Sequence, residues 1–220
     1  GPVFRFSIVA IVLVGAVYSS TYIRYVNILR LSSTWLFFAL ILVMWAFGGL
    51  GLGGLAINLL EISDYFINIY RFILPFSDYH AFYLFWWFDW SIMIGQFVSR
   101  FVGGLRTWQL LIALLIIPSI PIAIWFSVLF EVYEQGLDIS GFINGFMILV
   151  GVIFVTNSLD SLTRLYSENL QLTVDRLGKL KYIGIHWCLL YGLILFYQFT
   201  PLQIEWIGLI VIGFYAAISV

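Results

Sequence analysis

The sequence predicts an all-α, polytopic membrane protein with seven transmembrane helices and one amphipathic helix lying along the interface. Three observations carry this reading. The 220 residues are 63% hydrophobic and only 10% charged, whereas a soluble domain is roughly half apolar and about a quarter charged. The apolar residues gather into segments of about 20, the length a helix needs to cross a hydrocarbon core of roughly 30 Å. Most of the charges fall between those segments. The same composition excludes a soluble enzyme, a disordered chain and a nucleic-acid binder. Ten Lys and Arg against eleven Asp and Glu leave a net charge of −1, with no polybasic tract. A lone cysteine, Cys188, excludes an intrachain disulfide and a cysteine-rich metal site.

In order, the spans are read at 5–23, 35–60, 79–99, 108–130, 142–160, 182–199 and 202–220, in a single transmembrane domain over 1–220. No small-residue cleavage site follows the first span, so it is not read as a signal peptide. The second is long and must tilt, break or run on into a surface helix. Residues 61–74, from Glu61 to Leu74, are apolar at helical spacing and stop before Pro75, as an interfacial amphipathic helix would. The opening Gly1-Pro2 lacks a Met, and the last span runs to Val220 without a tail. Both ends are therefore expected to have been cut from a longer chain.

Basic residues set the expected orientation. Arg24 and Arg30 follow span 1, Arg100 and Arg106 follow span 3, and Arg164, Arg176, Lys179 and Lys181 follow span 5. These loops hold eight of the ten basic residues. By the positive-inside rule they and the C-terminus lie on the cytoplasmic or matrix side of a plasma, bacterial inner or organellar inner membrane.

Gly49-Leu-Gly51-Leu-Gly-Gly54 matches a dinucleotide-binding glycine pattern, but no strand precedes it and apolar residues surround it. Close helix packing is the expected use of those glycines. A denser signal is Phe82-Tyr83-Leu84-Phe85-Trp86-Trp87-Phe88-Asp89-Trp90. On a helix, Asp89, Phe82, Met93, Trp86, Trp90, Tyr83 and Trp87 share an arc of about 160°. A carboxylate inside a span must face an interior or a wet cavity. Several π-faces beside it suit a quaternary ammonium group, which offers no hydrogen-bond donor and is held by rings and shape. An interfacial aromatic belt is the plainer reading, yet these tryptophans lie 7–11 residues inside the span read from 79. Haem handling is a further reading of paired tryptophans near an aspartate. The chain has only His80 and His186 to ligate iron, each expected as an interfacial polar group. Phe154-Val-Thr156-Asn157-Ser158-Leu-Asp160-Ser161 crowds oxygens at the end of span 5. They suit Na⁺ coordination or, equally, helix capping and helix–helix hydrogen bonding. No nucleophile–base pair points to an enzyme.

At these motifs the chain resembles the betaine/choline/carnitine transporter family. Residues Phe82 to Gly95 are similar, without a gap, to the family's F-Y-W-A-W-W-I-S-W-x-P-F-V-G, and Phe154 to Ser161 to its F-F-V-T-S-A-D-S. Pro118 with Trp125-Phe126-Ser127, Ser99-Arg100 with Gly104 to Thr107, and Asp64 to Asn68 resemble three further family stretches in the same order. The resemblance implies the second half of a twelve-helix transporter with a five-plus-five inverted repeat. The first five helices would come from a partner chain or a missing segment. It implies that Trp86, Trp87 and Trp90, with Tyr83 and Asp89 beside them, share in an aromatic cage for a small cationic or zwitterionic solute, closed by Phe154. It places Asn157 and Ser158 where the family ligates sodium, and Met93 near a second sodium position. Leu84, Asp89, Ile92, Asn157 and Leu159 depart from the family pattern, and the loop from Glu131 to Ser140 is short. The function implied is ion-coupled alternating access, with Na⁺ or H⁺ as coupling ion and no other cofactor. The alternative is a transport-inactive structural subunit within a larger membrane complex.

Overall fold

The computed structural model describes residues 1–99 and 103–218, apart from the side chains of Pro2, Met93, Phe97 and Ile218. Arg100 and the side chain of Met93 therefore lie outside the described residues. Every regular element described is helical: α1 (Pro2–Ser20), α2 (Ile23–Gly48), α3 (Leu52–Ile67), α4 (Asp78–Ser99), α5 (Thr107–Glu134), α6 (Gly141–Asn169), α7 (Val174–Leu177), α8 (Lys179–Phe199) and α9 (Ile204–Ile218). A 3₁₀ turn, Ile69–Phe72, follows α3. Helices α1, α2, α5, α6 and α8 are each long and apolar enough to cross a bilayer. Their apolar side chains remain largely exposed; Leu115 and Ile117 of α5, for example, are each 68% exposed. Such faces require lipid or protein cover, and the chain is an integral membrane protein.

Several boundaries differ from the sequence reading. The span expected at 35–60 is two helices. Gly49 takes a left-handed conformation (φ 62°) that ends α2, and Gly51 caps the start of α3. A side-chain carbon added at Gly49, Gly51 or Gly53 would meet nothing within 4 Å, so none of the three packs helices closely, and the first two stop and restart them. Helix α2 begins at Ile23, so Arg24 and Arg30 lie in a helix instead of a loop. The stretch expected as one interfacial helix over 61–74 is the end of α3 followed by the 3₁₀ turn, and Pro75 lies just beyond. Helix α6 runs to Asn169, nine residues past the expected end at Asp160, and so includes Arg164.

The chain gathers into two compact units. The first holds Gly1–Leu50 and Val128–Thr200; the second holds Gly51–Ser127 and Pro201–Val220. In the first, α1 packs against α6, α8 and α2, and α2 packs against α6. Leu13, Val17, Tyr182 and Leu190 form its apolar centre, edged by Val9, Leu159, Tyr166 and Trp187. The Trp187 indole donates to the Ala10 carbonyl at 3.0 Å, tying α8 to α1. The end of α2 docks on the end of α5. A Cβ on Gly48 would lie 3.2 Å from Val132 Cγ2, and the Gln135 amide donates to the Gly48 carbonyl at 3.0 Å.

In the second unit, α4 packs against α9. The approach is close, since a Cβ on Gly208 would fall 2.7 Å from Phe85 Cδ1 and 3.1 Å from its Cα. The Ser91 and Tyr215 hydroxyls meet at 3.0 Å across the same pair. Asn58 of α3 donates to the Ser127 carbonyl of α5 at 3.2 Å. Tyr65, Phe72, Phe76 and His80 pack ring to ring, with successive centroids 4.7, 5.5 and 4.5 Å apart, and anchor the start of α4.

Candidate functional site

The aromatic run sits on α4, where helical geometry sets which side chains share a face. Trp86 is the hub. Its ring lies 5.1 Å from that of Trp87, 5.6 Å from Trp90 and 6.4 Å from Tyr83, all tilted or edge-on. Edge-to-face contact of this kind is favoured by the ring quadrupoles. Trp86 and Trp90 are half-buried, whereas Trp87 and Tyr83 remain 56% and 55% exposed. Asp89 stands among them, with its Oδ1 buried and without a hydrogen-bond partner among the described residues.

Helix α9 explains why this face is bare. Its contacts reach α4 at Phe85 and Ser91. At about 100° per residue, the arc from Ser91 through Phe88 to Phe85 is centred opposite the arc that carries Asp89 and the tryptophans. Packing of α9 therefore covers the back of α4 and leaves the Trp–Asp face free of it.

The remaining predicted positions lie on α6, in the first unit. Phe154 packs edge-on against Phe37 of α2, with centroids 5.7 Å apart, and is 38% exposed. The Asn157 amide donates to Ser33 Oγ of α2 at 3.3 Å, and its Oδ1 is buried and unpartnered among the described residues. Ser158 is half-buried beside it. Helix capping is not the use of these groups, because α6 continues past them. The Asn157 bond instead runs between helices.

Sequence reasoning named Asp160 and Ser161 and their capacity for helix–helix hydrogen bonds, but missed the partners on other helices. Asp160 is fully buried, accepts from Ser19 of α1 and from Ser161, each at 3.0 Å, and so joins α6 to α1. Arg30 of α2 donates to Ser161 Oγ at 3.5 Å, adding the third helix. His186, expected at the interface, is fully buried. Its Nε2 faces the Leu172 carbonyl at 2.9 Å and therefore carries the proton, while Nδ1 meets the Tyr166 hydroxyl at 2.8 Å. Tyr182 lies 4.2 Å from the His186 ring and bonds Ser20 at 3.1 Å. With both nitrogens engaged, His186 has no lone pair directed at a metal. The available signal was the recurrence of polar residues at helical spacing, 160, 163 and 167, on a long apolar helix.

No family model matches the chain, and no solved structure matches it. Two curated transporters of Vibrio parahaemolyticus are similar to it over part of its length. A glycine betaine/proline/choline transporter is 29% identical over an alignment of 75 residues that covers 30% of this chain and 14% of that protein. Glycine betaine transporter 1 is 34% identical over 53 residues, 24% of this chain and 10% of its own length. The chain thus spans a small fraction of the length of either relative, and its similarity is to betaine-related membrane transporters.

Proposed function

We propose that this chain is part of a secondary transporter for a quaternary-ammonium solute of the betaine or choline kind. The observation that carries this reading is the face of α4, where Trp86, Trp87, Trp90 and Tyr83 stand with Asp89 on the side that α9 leaves bare. A desolvated ring face attracts a cation by about 0.5–2 kcal/mol, and several rings with a carboxylate add to a site with no need of donors on the ligand. The partial similarity to betaine and choline transporters supports the same solute class. Phe154, in the first unit, is a further aromatic candidate for contact with the solute. Asn157 and Ser158 offer oxygens to Na⁺, Met93 lies near a second such position, and Asp89 replaces part of a coupling charge or carries H⁺. The chain supplies the later helices of an inverted-repeat transporter, and the earlier ones come from a partner chain or a further segment. Alternating exposure of a central site to the two sides then moves the solute.

The spans in this reading number seven, with α4 and α9 added to the five long apolar helices. Helix α4 has 22 residues, or about 33 Å of rise. Helix α9 is shorter, with 15 residues or about 22 Å of rise.

The test is binding and uptake of radiolabelled choline and glycine betaine by membranes containing the chain in its native assembly. Trp87→Ala, at an exposed ring, is expected to lower binding at least tenfold without loss of folded protein; unchanged binding removes the cage. Asp89→Asn is expected to alter the dependence of uptake on Na⁺ or pH, and an unaltered dependence leaves Asp89 with no role in coupling.

One observation favours a second reading, a transport-inactive scaffold within a larger membrane complex. Asn157 already spends its amide on Ser33, and Phe154 its ring on Phe37, so both are engaged in holding α2 to α6. Absence of solute binding by the native assembly, together with unrelated subunits against the Trp face, would establish it.

A further inference from the structure

The structure brings two basic stretches of the first unit together at one corner. Lys179 opens α8 and sets its ammonium 4.3 Å from the ring centroid of Tyr18 and 4.7 Å from that of Tyr22. Tyr25, at the start of α2, stacks on Tyr18 at 5.7 Å and meets Tyr22 edge-on at 5.6 Å. The end of α1 and the start of α2 thus form a tyrosine wall, and the α7–α8 corner is clipped to it by a cation. Arg24 lies in the wall's own sequence, between Tyr22 and Tyr25. Arg176 and Lys181 flank Lys179. Arg24, Arg176 and Lys181 are exposed. The contact of Arg176 is a donation to the Gln171 carbonyl at 3.3 Å, and none of the four cations makes an ion pair among the described residues. Asp175 is the acid in these two stretches, so four positive charges face one negative.

The surroundings indicate what these charges meet. The corner lies at the ends of α1, α2 and α8, three helices long and apolar enough to cross a bilayer, and so at the depth of the lipid headgroups. Tyr18, Tyr22 and Tyr25 keep 40–51% of their surface exposed, and tyrosine at that depth presents a ring to acyl and glycerol carbons and a hydroxyl to water. A soluble anion would use the charges but not the rings. We propose that this corner is a docking site for the headgroup of an anionic phospholipid. Arg176, Lys181 and Arg24 draw in the phosphate, and Lys179 donates to it from its seat on the tyrosines. The proposal needs only that the chain is embedded in a membrane and is independent of solute transport.

The experiment is native mass spectrometry of the full chain, released from phosphatidylcholine nanodiscs and titrated with dioleoyl phosphatidylglycerol. Each basic residue near a charged bilayer surface contributes about fivefold in affinity. Arg176→Gln with Lys181→Gln leaves the Lys179–tyrosine contact intact and is expected to weaken phosphatidylglycerol binding about 25-fold. Lys179→Gln is expected to weaken it while Lys179→Arg keeps it, which separates loss of charge from loss of fold. Arg71→Gln, on the 3₁₀ turn of the other unit, is expected to change nothing. The proposal is overturned if phosphatidylcholine binds as well as phosphatidylglycerol, if the double variant binds normally, if Arg71→Gln weakens binding equally, or if soluble glycerol phosphate binds as tightly as the lipid.

Discussion

Buried polar side chains decide more of this protein than its apolar ones, because every apolar residue already has a favourable environment in lipid. Leucine gains little by moving from acyl chains to a protein interior, whereas a hydroxyl or carboxylate gains a partner. Asp160 shows the consequence. Its two oxygens hold Ser19 of α1 and Ser161 of α6, and Ser161 in turn receives Arg30 of α2. Asp160→Ala strands the buried Ser19 hydroxyl and takes one of two partners from Ser161, at about 1–3 kcal/mol. The expected result is a clear drop in thermal or denaturant stability of the detergent-solubilised protein. Ser19→Ala alone is expected to cost less, and the two together less than their sum, since the second change removes a group already orphaned by the first. Strict additivity would mean that the hydroxyl and the carboxylate do not act as a pair.

At the scale of single elements, the length and apolarity of the helices were legible, and their ends were less so. Apolar runs are visible in composition because lipid accepts them on every side. Helix α6 defeats that logic after residue 160, where Asp160, Ser161, Thr163 and Ser167 look like the start of a loop. Thr163 and Ser167 return hydrogen bonds to carbonyls of α6 itself, while Asp160 meets Ser19 of α1 and Ser167 meets Tyr182 of α8, partners that lie far away in the chain. His186 was misplaced at the interface for the same reason. The glycines at 49 and 51 were visible, but a glycine can serve either packing or backbone reversal, and only the φ of 62° at Gly49 decides.

Gly208 is the packing glycine that the sequence did not distinguish. A Cβ there would lie 2.7 and 2.8 Å from Phe85 side-chain carbons and 3.1 Å from Phe85 Cα, so neighbouring backbone as well as side chain obstructs it. Gly208→Ala is expected to push α9 off α4 and destabilise the second unit by about 1–3 kcal/mol. Gly213→Ala, on the same helix with nothing within 4 Å, is expected to be neutral or stabilising by up to about 1 kcal/mol. The pair is read by thermal unfolding with tryptophan fluorescence, to which Trp86 and Trp90 on α4 and Trp206 on α9 contribute. Equal effects of the two substitutions would show that close approach at Gly208 is not what joins α9 to α4.

For the whole molecule, two of the three boundaries between the units fall where the helices are interrupted, and the third, Ser127–Val128, lies inside α5. The boundary at Leu50–Gly51 falls on the glycine break between α2 and α3, and that at Thr200–Pro201 on the link between α8 and α9. Between them the helices form a path whose direction through the membrane depends on one element. If α4 crosses, the basic residues near α1–α2, α4–α5 and α6–α8 all lie on one side. If it does not, the α4–α5 link moves to the other side of the path from the α1–α2 link and the charge asymmetry disappears. Four single cysteines in a Cys188→Ser background separate these cases: Ser77→Cys before α4, Leu105→Cys after it, Asp138→Cys after α5 and Asp175→Cys in α7, all at exposed positions. With α4 spanning and the basic loops inside, an impermeant maleimide added to intact cells is expected to label positions 77 and 138. Positions 105 and 175 react only after the membrane is opened. Exchange of the two pairs would reverse the orientation while keeping the number of spans. Labelling of 77 and 105 from the same side would show that α4 does not cross, and with it the Trp–Asp face would lie at the membrane surface, where a central solute site is impossible.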